Sequence, residues 1–208
     1  ISVTGLGNAD FTSDLIVWEG EFSRFNPNLS EAFADLKEDR EKVRNYLTNK
    51  GIQSSSIVFL SVNTYERRKS EYFEGKYIGE RFEGYELSQR VKIESNDVEM
   101  VESVSREITE LLNQGVQFRS FSPRYYYTKL ADLKIEMISQ ATEDAKNRAE
   151  QIAVYSGAKL GKLISARMGV FQITGQNSGE EFSWGGNFNT SDKNKTASIT
   201  MRLEYDVK

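Results

Sequence analysis

The chain contains no cysteine and no histidine. Without cysteine there is no disulfide and no thiol nucleophile, and cysteine usage cannot report the redox compartment. Without histidine there is no Ser-His triad and no imidazole acid–base chemistry, and the loss of both types removes the usual zinc ligands. Chemistry is left to carboxylates, Lys, Tyr or an externally supplied metal. Proline is scarce, with two residues in 208, and no Pro/Gly/Ser-rich linker divides the chain. No apolar run approaches the roughly 18 residues of a membrane-spanning helix. Basic residues do not predominate either. The formal net charge is −4, which gives no electrostatic case for binding DNA or a membrane surface. The opening ISVTG lacks a Met, a basic n-region and an apolar h-region. It predicts that a targeting segment was removed, or the chain trimmed, ahead of Ile1.

What the chain does have is periodicity. Ile1 to Gly7 reads as a short strand and Asp14 to Phe25 as a long one, with Leu15 to Trp18 apolar on both faces. Leu29, Phe33, Leu36, Val43 and Leu47 recur at helical steps after an Asn28/Glu31 capping box, and Gly51 closes that helix. Ile52 to Thr64 reads as a strand, and the charged stretch Tyr65 to Lys76 as a mobile hairpin tip. Tyr85 to Glu94 alternates as a half-buried strand. A second helix spans Asp97 to Gln114, capped by Asn96 with Glu99 and stopped by Gly115. Val116 to Tyr127 is a strand broken at Pro123. A long helix runs from Lys129 to Ser156, followed by strands at Lys162 to Thr174 and Ala197 to Val207.

The order strand, helix, strand, strand, helix, strand over residues 14–127 predicts a ferredoxin-like βαββαβ plait, two helices on one face of an antiparallel sheet. Residues 1–13 and 128–208 cannot bury their apolar sides separately. They are expected to form a second, discontinuous α+β lobe interleaved with the first.

The long helix carries Ala141, Ala145, Ala149 and Ala153 at four-residue steps. On a helix this makes a narrow, nearly flat stripe that lets another backbone approach closely. Gly157 supplies the C-terminal stop. The block A-x3-A-x2-RA-x3-A-x3-G-x3-G, filled by Ala141, Ala145, Arg148, Ala149, Ala153, Gly157 and Gly161, resembles the last long helix of the SIMPL domain. ISVTGLG with Asp14, the NYLTNKGI junction and the strand opening at Gly84-Tyr85 are similar to that family's other blocks. Ser13 stands where the family commonly has Pro, and NTYERR lacks its usual Pro-Tyr stretch. The resemblance implies a bacterial periplasmic or outer-membrane-associated protein that self-assembles, with a poorly defined biochemical role and no established catalytic residue; the absence of His and Cys leads us to expect no cofactor and no tightly bound transition metal.

Three groups compete for function. The loop Gly175 to Asn194 is long for a hairpin and sets Phe182, Trp184 and Phe188 among glycines, which suits contact with a partner or another copy; otherwise it is a disordered tip, or folds on its own sheet with the rings as local core. Arg119, Phe121, Arg124, Tyr125, Tyr126 and Tyr127 interleave basic and aromatic residues as nucleic-acid sheets do. No ribonucleoprotein motif accompanies them, however, and no nucleic-acid partner is expected. The carboxylates Glu143, Asp144, Glu150, Glu180 and Glu181 admit acid–base or hard-cation chemistry, yet their spacing is that of a solvated face. The expectation is a non-enzymatic envelope protein acting as a homo-oligomer or with an envelope protein partner, without a cofactor. The alternative is a carboxylate-dependent hydrolase of a small or sugar-like envelope substrate.

Overall fold

A computed structural model describes residues 1–208 as an α+β chain. In order, its elements are β1 (Ser2–Thr12), β2 (Leu15–Asn26), α1 (Leu29–Asn49), β3 (Ile57–Phe73), β4 (Lys76–Ser95), α2 (Val98–Glu107), β5 (Gln117–Ser120), β6 (Arg124–Tyr126), α3 (Leu130–Tyr155), β7 (Leu160–Met168), β8 (Gln172–Gly175) and β9 (Asn194–Val207). No helix is long and apolar enough to cross a membrane. The chain divides into two units, one of residues 15–124 and one of residues 1–14 with 125–208.

In the 15–124 unit, the strands lie in the order β3-β4-β2-β5, each pair antiparallel. Trp18, Phe22, Leu87, Val91 and Ile93 are buried on one face, while Glu19, Glu21 and Arg90 sit on the other. α1 and α2 both contact β2 and β4 and cover the apolar face. Trp18 Nε1 donates to Ser120 Oγ at 3.0 Å, and Ser120 Oγ donates to the Ser105 carbonyl at 2.7 Å, tying β2, β5 and α2 together. α1 starts where Asn28 accepts hydrogen bonds from the Ser30 and Glu31 amides. Its buried stripe is Ala32, Leu36, Asp39, Val43 and Leu47. Leu29 and Phe33, expected inside, are exposed, because the stripe passes through Ala32, where a small side chain lets the helix approach the sheet. Asp39 is wholly buried and accepts a forked pair of hydrogen bonds from Arg24 at 2.5 and 2.6 Å. That geometry satisfies a carboxylate which would otherwise be too costly to bury.

Other boundaries move for local reasons. Asp97, rather than Asn96, caps α2 by accepting from the Met100 amide, and the helix tightens into a 3₁₀ segment at Ile108–Gln114. The stretch expected as a mobile tip at Tyr65 to Lys76 continues β3 and β4 as a two-stranded ribbon, with a turn at Glu74-Gly75. Charge on both faces hides such a strand, since alternation signals only a half-buried one.

The discontinuous unit holds a sheet in which β1 and β7 flank β9 and β8 also pairs with β9. α3 covers the face carrying Val3, Ile199, Leu203 and Tyr205. The alanine stripe at 141, 145, 149 and 153 is buried there. It meets glycine: a Cβ on Gly5 would collide with the backbone of Ala141 and Ala145, and one on Gly7 with that of Met137. Helix and strand therefore touch backbone to backbone. The Leu6 amide, on the free edge of β1, donates to Asp144 of α3 at 2.9 Å. The strand expected at Lys162 to Thr174 is two strands, interrupted at Gly169, whose amide donates to the Thr200 carbonyl at 2.8 Å.

Candidate functional site

The Gly175 to Asn194 loop is built from its polar residues outward. Gln172 on β8 is buried and clamps the loop. Its Oε1 accepts from the Ser183 and Asn187 amides at 3.2 and 2.9 Å, and its Nε2 donates to the Ser183 carbonyl at 2.7 Å. The buried Asn189 donates through Nδ2 to Glu180 and Asp192, both at 2.8 Å, while its Oδ1 accepts from the Asp192 amide at 2.9 Å. Glu180 also accepts from the Gly175 amide at 2.8 Å. Backbone bonds between Ile173 and the amide of Asn189 and carbonyl of Asn187 lay the returning chain against β8. Gly186, at φ +93°, makes the turn, and a Cβ there would meet the Phe171 carbonyl at 3.0 Å.

Beneath the loop, the Lys195 side chain is buried and its Nζ donates to the Tyr125 carbonyl at 2.5 Å. Burial lowers its pKa, while Asp192 and Glu180 oppose that shift. The pKa of Glu180 is lowered, first by the Gly175 amide and then by Asn189. Gln172, Asn189 and Lys195 are the buried members of this set, and Glu180 and Asp192 reach in to them from exposed positions; burial makes each satisfied hydrogen bond of the inner three hard to give up.

The rings face outward. Phe182 is 68% exposed, Trp184 100% and Phe188 54%. The alternative in which the rings form a local core does not hold; the loop is ordered instead by its polar scaffold. Phe188 has a cation beside it: Lys134 of α3 sits 5.7 Å from its ring and 5.1 Å from that of Phe171. Phe182 and Trp184 rim a cleft of about 500 Å³ with Leu6, Val170, Ser198 and Thr200. No charged side chain lines it.

The other candidates separate. Phe121 lies between Arg90 and Arg119, at 5.3 and 5.0 Å, on the helix-free face of the 15–124 unit. Tyr125 is buried in the discontinuous unit, and Tyr127 packs on Phe11 at 4.7 Å. Phe121, Tyr125 and Tyr127 share one parity and would lie on one face of an unbroken strand, but the break at Pro123 ends that alternation. Asp144 is engaged by Arg148 at 2.9 Å as well as by Leu6, and its pKa is lowered by Arg148 first and the Leu6 amide second. Glu150 faces Lys146 at 3.6 Å. No group of three or more acidic side chains is arranged to hold a metal ion.

Gln172, Asn189 and Lys195, the residues that shape the loop, escape sequence reasoning. Lys195 did leave a signal. It shares the inward parity of Ala197, Ile199 and Met201 on β9, and a lysine in such a row calls for a partner.

No curated protein matches the chain in sequence. A family model described as SIMPL, protein of unknown function (DUF541), matches residues 1–202. That span takes in both sheets, the alanine stripe and its glycine seat, and the chain therefore belongs to the SIMPL family.

Proposed function

We propose that this protein is a non-enzymatic component of the bacterial cell envelope, acting in the periplasm by contact with other copies or with an envelope partner. The contact element is the Gly175 to Asn194 loop. One observation carries the reading: three large rings are held in water by a loop whose own order does not need them. Exposed aromatics on a fixed scaffold bind with little ordering cost, which is what a contact surface requires. Membership of the SIMPL family supports the envelope setting. The engagement of Glu180, Asp144 and Glu150 by amides and cations supports a role without catalysis. The order β3-β4-β2-β5 with both helices on one face supports a ferredoxin-like plait for the 15–124 unit.

The test replaces Phe182, Trp184 and Phe188 together by Ser. Because the rings are exposed, the melting temperature should hold. Light scattering with and without envelope extract should show assemblies larger than a dimer, or partner complexes, in the parent and their loss in the variant. Equal scattering by the two proteins under both conditions would remove the loop from the function.

A further inference from the structure

The β3–β4 hairpin outruns the sheet in which it begins. β4 pairs with β2 only from Tyr85 to Ser95. From Arg67 and Gly84 outward, the two strands have each other and no third neighbour. The part of β3 from Arg67 to Phe73 makes a ribbon about 20 Å long at the usual strand rise of ~3.4 Å per residue. A two-stranded ribbon is marginal in water without further cover. Tyr72, Phe73, Tyr77 and Ile78, near its tip, are all more than half exposed.

The two edges of the ribbon differ. Arg67 pairs with Gly84 but Arg68 with Phe82, and Glu71 pairs with Gly79 but Tyr72 with Tyr77. The extra residues, Glu83 and Ile78, both lie on β4. Bulges bend the strand that carries them and spoil its edge for pairing. β3 has no extra residue between Val62 and Phe73, so its outer edge presents an even row of backbone donors and acceptors.

We propose that this edge pairs with β3 of a second copy, antiparallel about a twofold axis at Ser70. A twofold antiparallel ladder must set some residue opposite itself, because hydrogen-bonded and non-hydrogen-bonded pairs alternate along it. In the run Glu66-Arg67-Arg68-Lys69-Ser70-Glu71, every centre but Ser70 sets a charge against its own copy, and like charges directly opposite are destabilising; a centre at Tyr72 or Phe73 lies where β3 ends and leaves almost nothing to pair beyond it. Centred on Ser70, Lys69 faces Glu71 of the second copy, Arg68 faces Tyr72 and Arg67 faces Phe73. Symmetry makes each contact twice. Arg67, Arg68, Lys69, Lys76 and Arg81 on the ribbon are balanced by Glu66, Glu71, Glu74, Glu80 and Glu83, so two copies approach without net repulsion. Charged edges ordinarily keep strands apart. Here the same charges favour one register.

Sedimentation equilibrium over a concentration series tests this surface, which is not the loop. The parent should associate reversibly to a dimer. Lys69→Glu sets Glu against Glu71 twice and should weaken the dimer about tenfold. The swap Lys69→Glu with Glu71→Lys should restore it to within about threefold of the parent. Arg81, opposite Lys69 and 3.3 Å from Glu71, keeps a carboxylate neighbour in the swap. Lys69 and Arg81 are exposed and Glu71 is half-buried, and an unchanged circular dichroism spectrum serves as the folding control. A parent that stays monomeric, a Lys69→Glu variant as tight as the parent, or a swap as weak as Lys69→Glu each overturns the proposal. The triple Ser variant of the loop should dimerise normally. If it alone loses the dimer, the loop is the self-contact and the ribbon is not.

Discussion

In the 15–124 unit, helices meet the sheet through large side chains: Trp18, Phe22, Leu36, Leu47 and Phe118 are buried between them. In the discontinuous unit, α3 meets its sheet through Ala141, Ala145 and Ala149, with Ala141 and Ala145 seated over Gly5 and Met137 and Ala141 over Gly7. Both cover one sheet face with helix. The first is a thick interface, filled by interlocking rings, with Phe118 at 6.1 Å from Trp18 and 6.4 Å from Phe22. The second is thin, limited by how closely two backbones can approach. The contrast predicts opposite sensitivities. A thick interface fails when volume is removed, and a thin one when volume is added.

The largest effect should come from Phe22→Ala. Phe22 is fully buried, with Phe59 edge-on at 6.1 Å and Phe118 stacked beside it. Loss of the ring should cost about 3–5 kcal/mol in urea unfolding. A cost under about 1 kcal/mol would mean that the interface collapses easily and is not volume-limited.

Next is Gly5→Ala, one methyl in the other direction. The added Cβ would meet the Ala145 Cα at 2.8 Å, with backbone rather than a flexible side chain in its way. Overpacking of this kind should cost about 1–3 kcal/mol. Ala149→Gly, which removes a methyl from the same thin interface, should cost only about 1 kcal/mol, most of it helix propensity. If the two substitutions are equally mild, the helix is not seated on β1 as described.

The smallest effect concerns the loop, which neither rule governs because polar bonds hold it. Glu180 is held below its ordinary pKa of 4.5 by the Gly175 amide and Asn189. A depressed carboxyl contributes stability that is fully present above its unfolded pKa and lost as pH falls through its folded one. Acid should therefore loosen the loop only below about pH 4.5, seen as movement of the Gly175 amide resonance. Glu180→Gln should abolish that movement. A midpoint above 4.5 in the parent would contradict the hydrogen bonding described here.

Much of this was legible beforehand. The alanine stripe predicts its own burial, and Asn28, Gly115 and Gly157 mark helix ends, because caps and helical faces are local physics. The β9 alternation is equally plain, since one face is wet. Three things were not legible. Asp39 occupies an apolar position in the α1 stripe and reads as a fault until Arg24 arrives from β2. The ribbon is charged on both faces, so it carries no period. The loop's scaffold depends on Gln172 and Asn189, whose amides look like any polar residue until their neighbours make three hydrogen bonds with each.

The amino-acid sequence by itself determined the order of strands and helices, the α+β class, the SIMPL family and the stripe on α3, since each rests on spacing along one segment. It also placed three aromatic rings in one loop. Tertiary structure alone decided that those rings face water, that Gly5 and Gly7 receive the helix, and that β3 ends as an even edge while β4 carries the bulges. These depend on which backbone groups meet across the sheet, a matter of long-range pairing that no local period encodes.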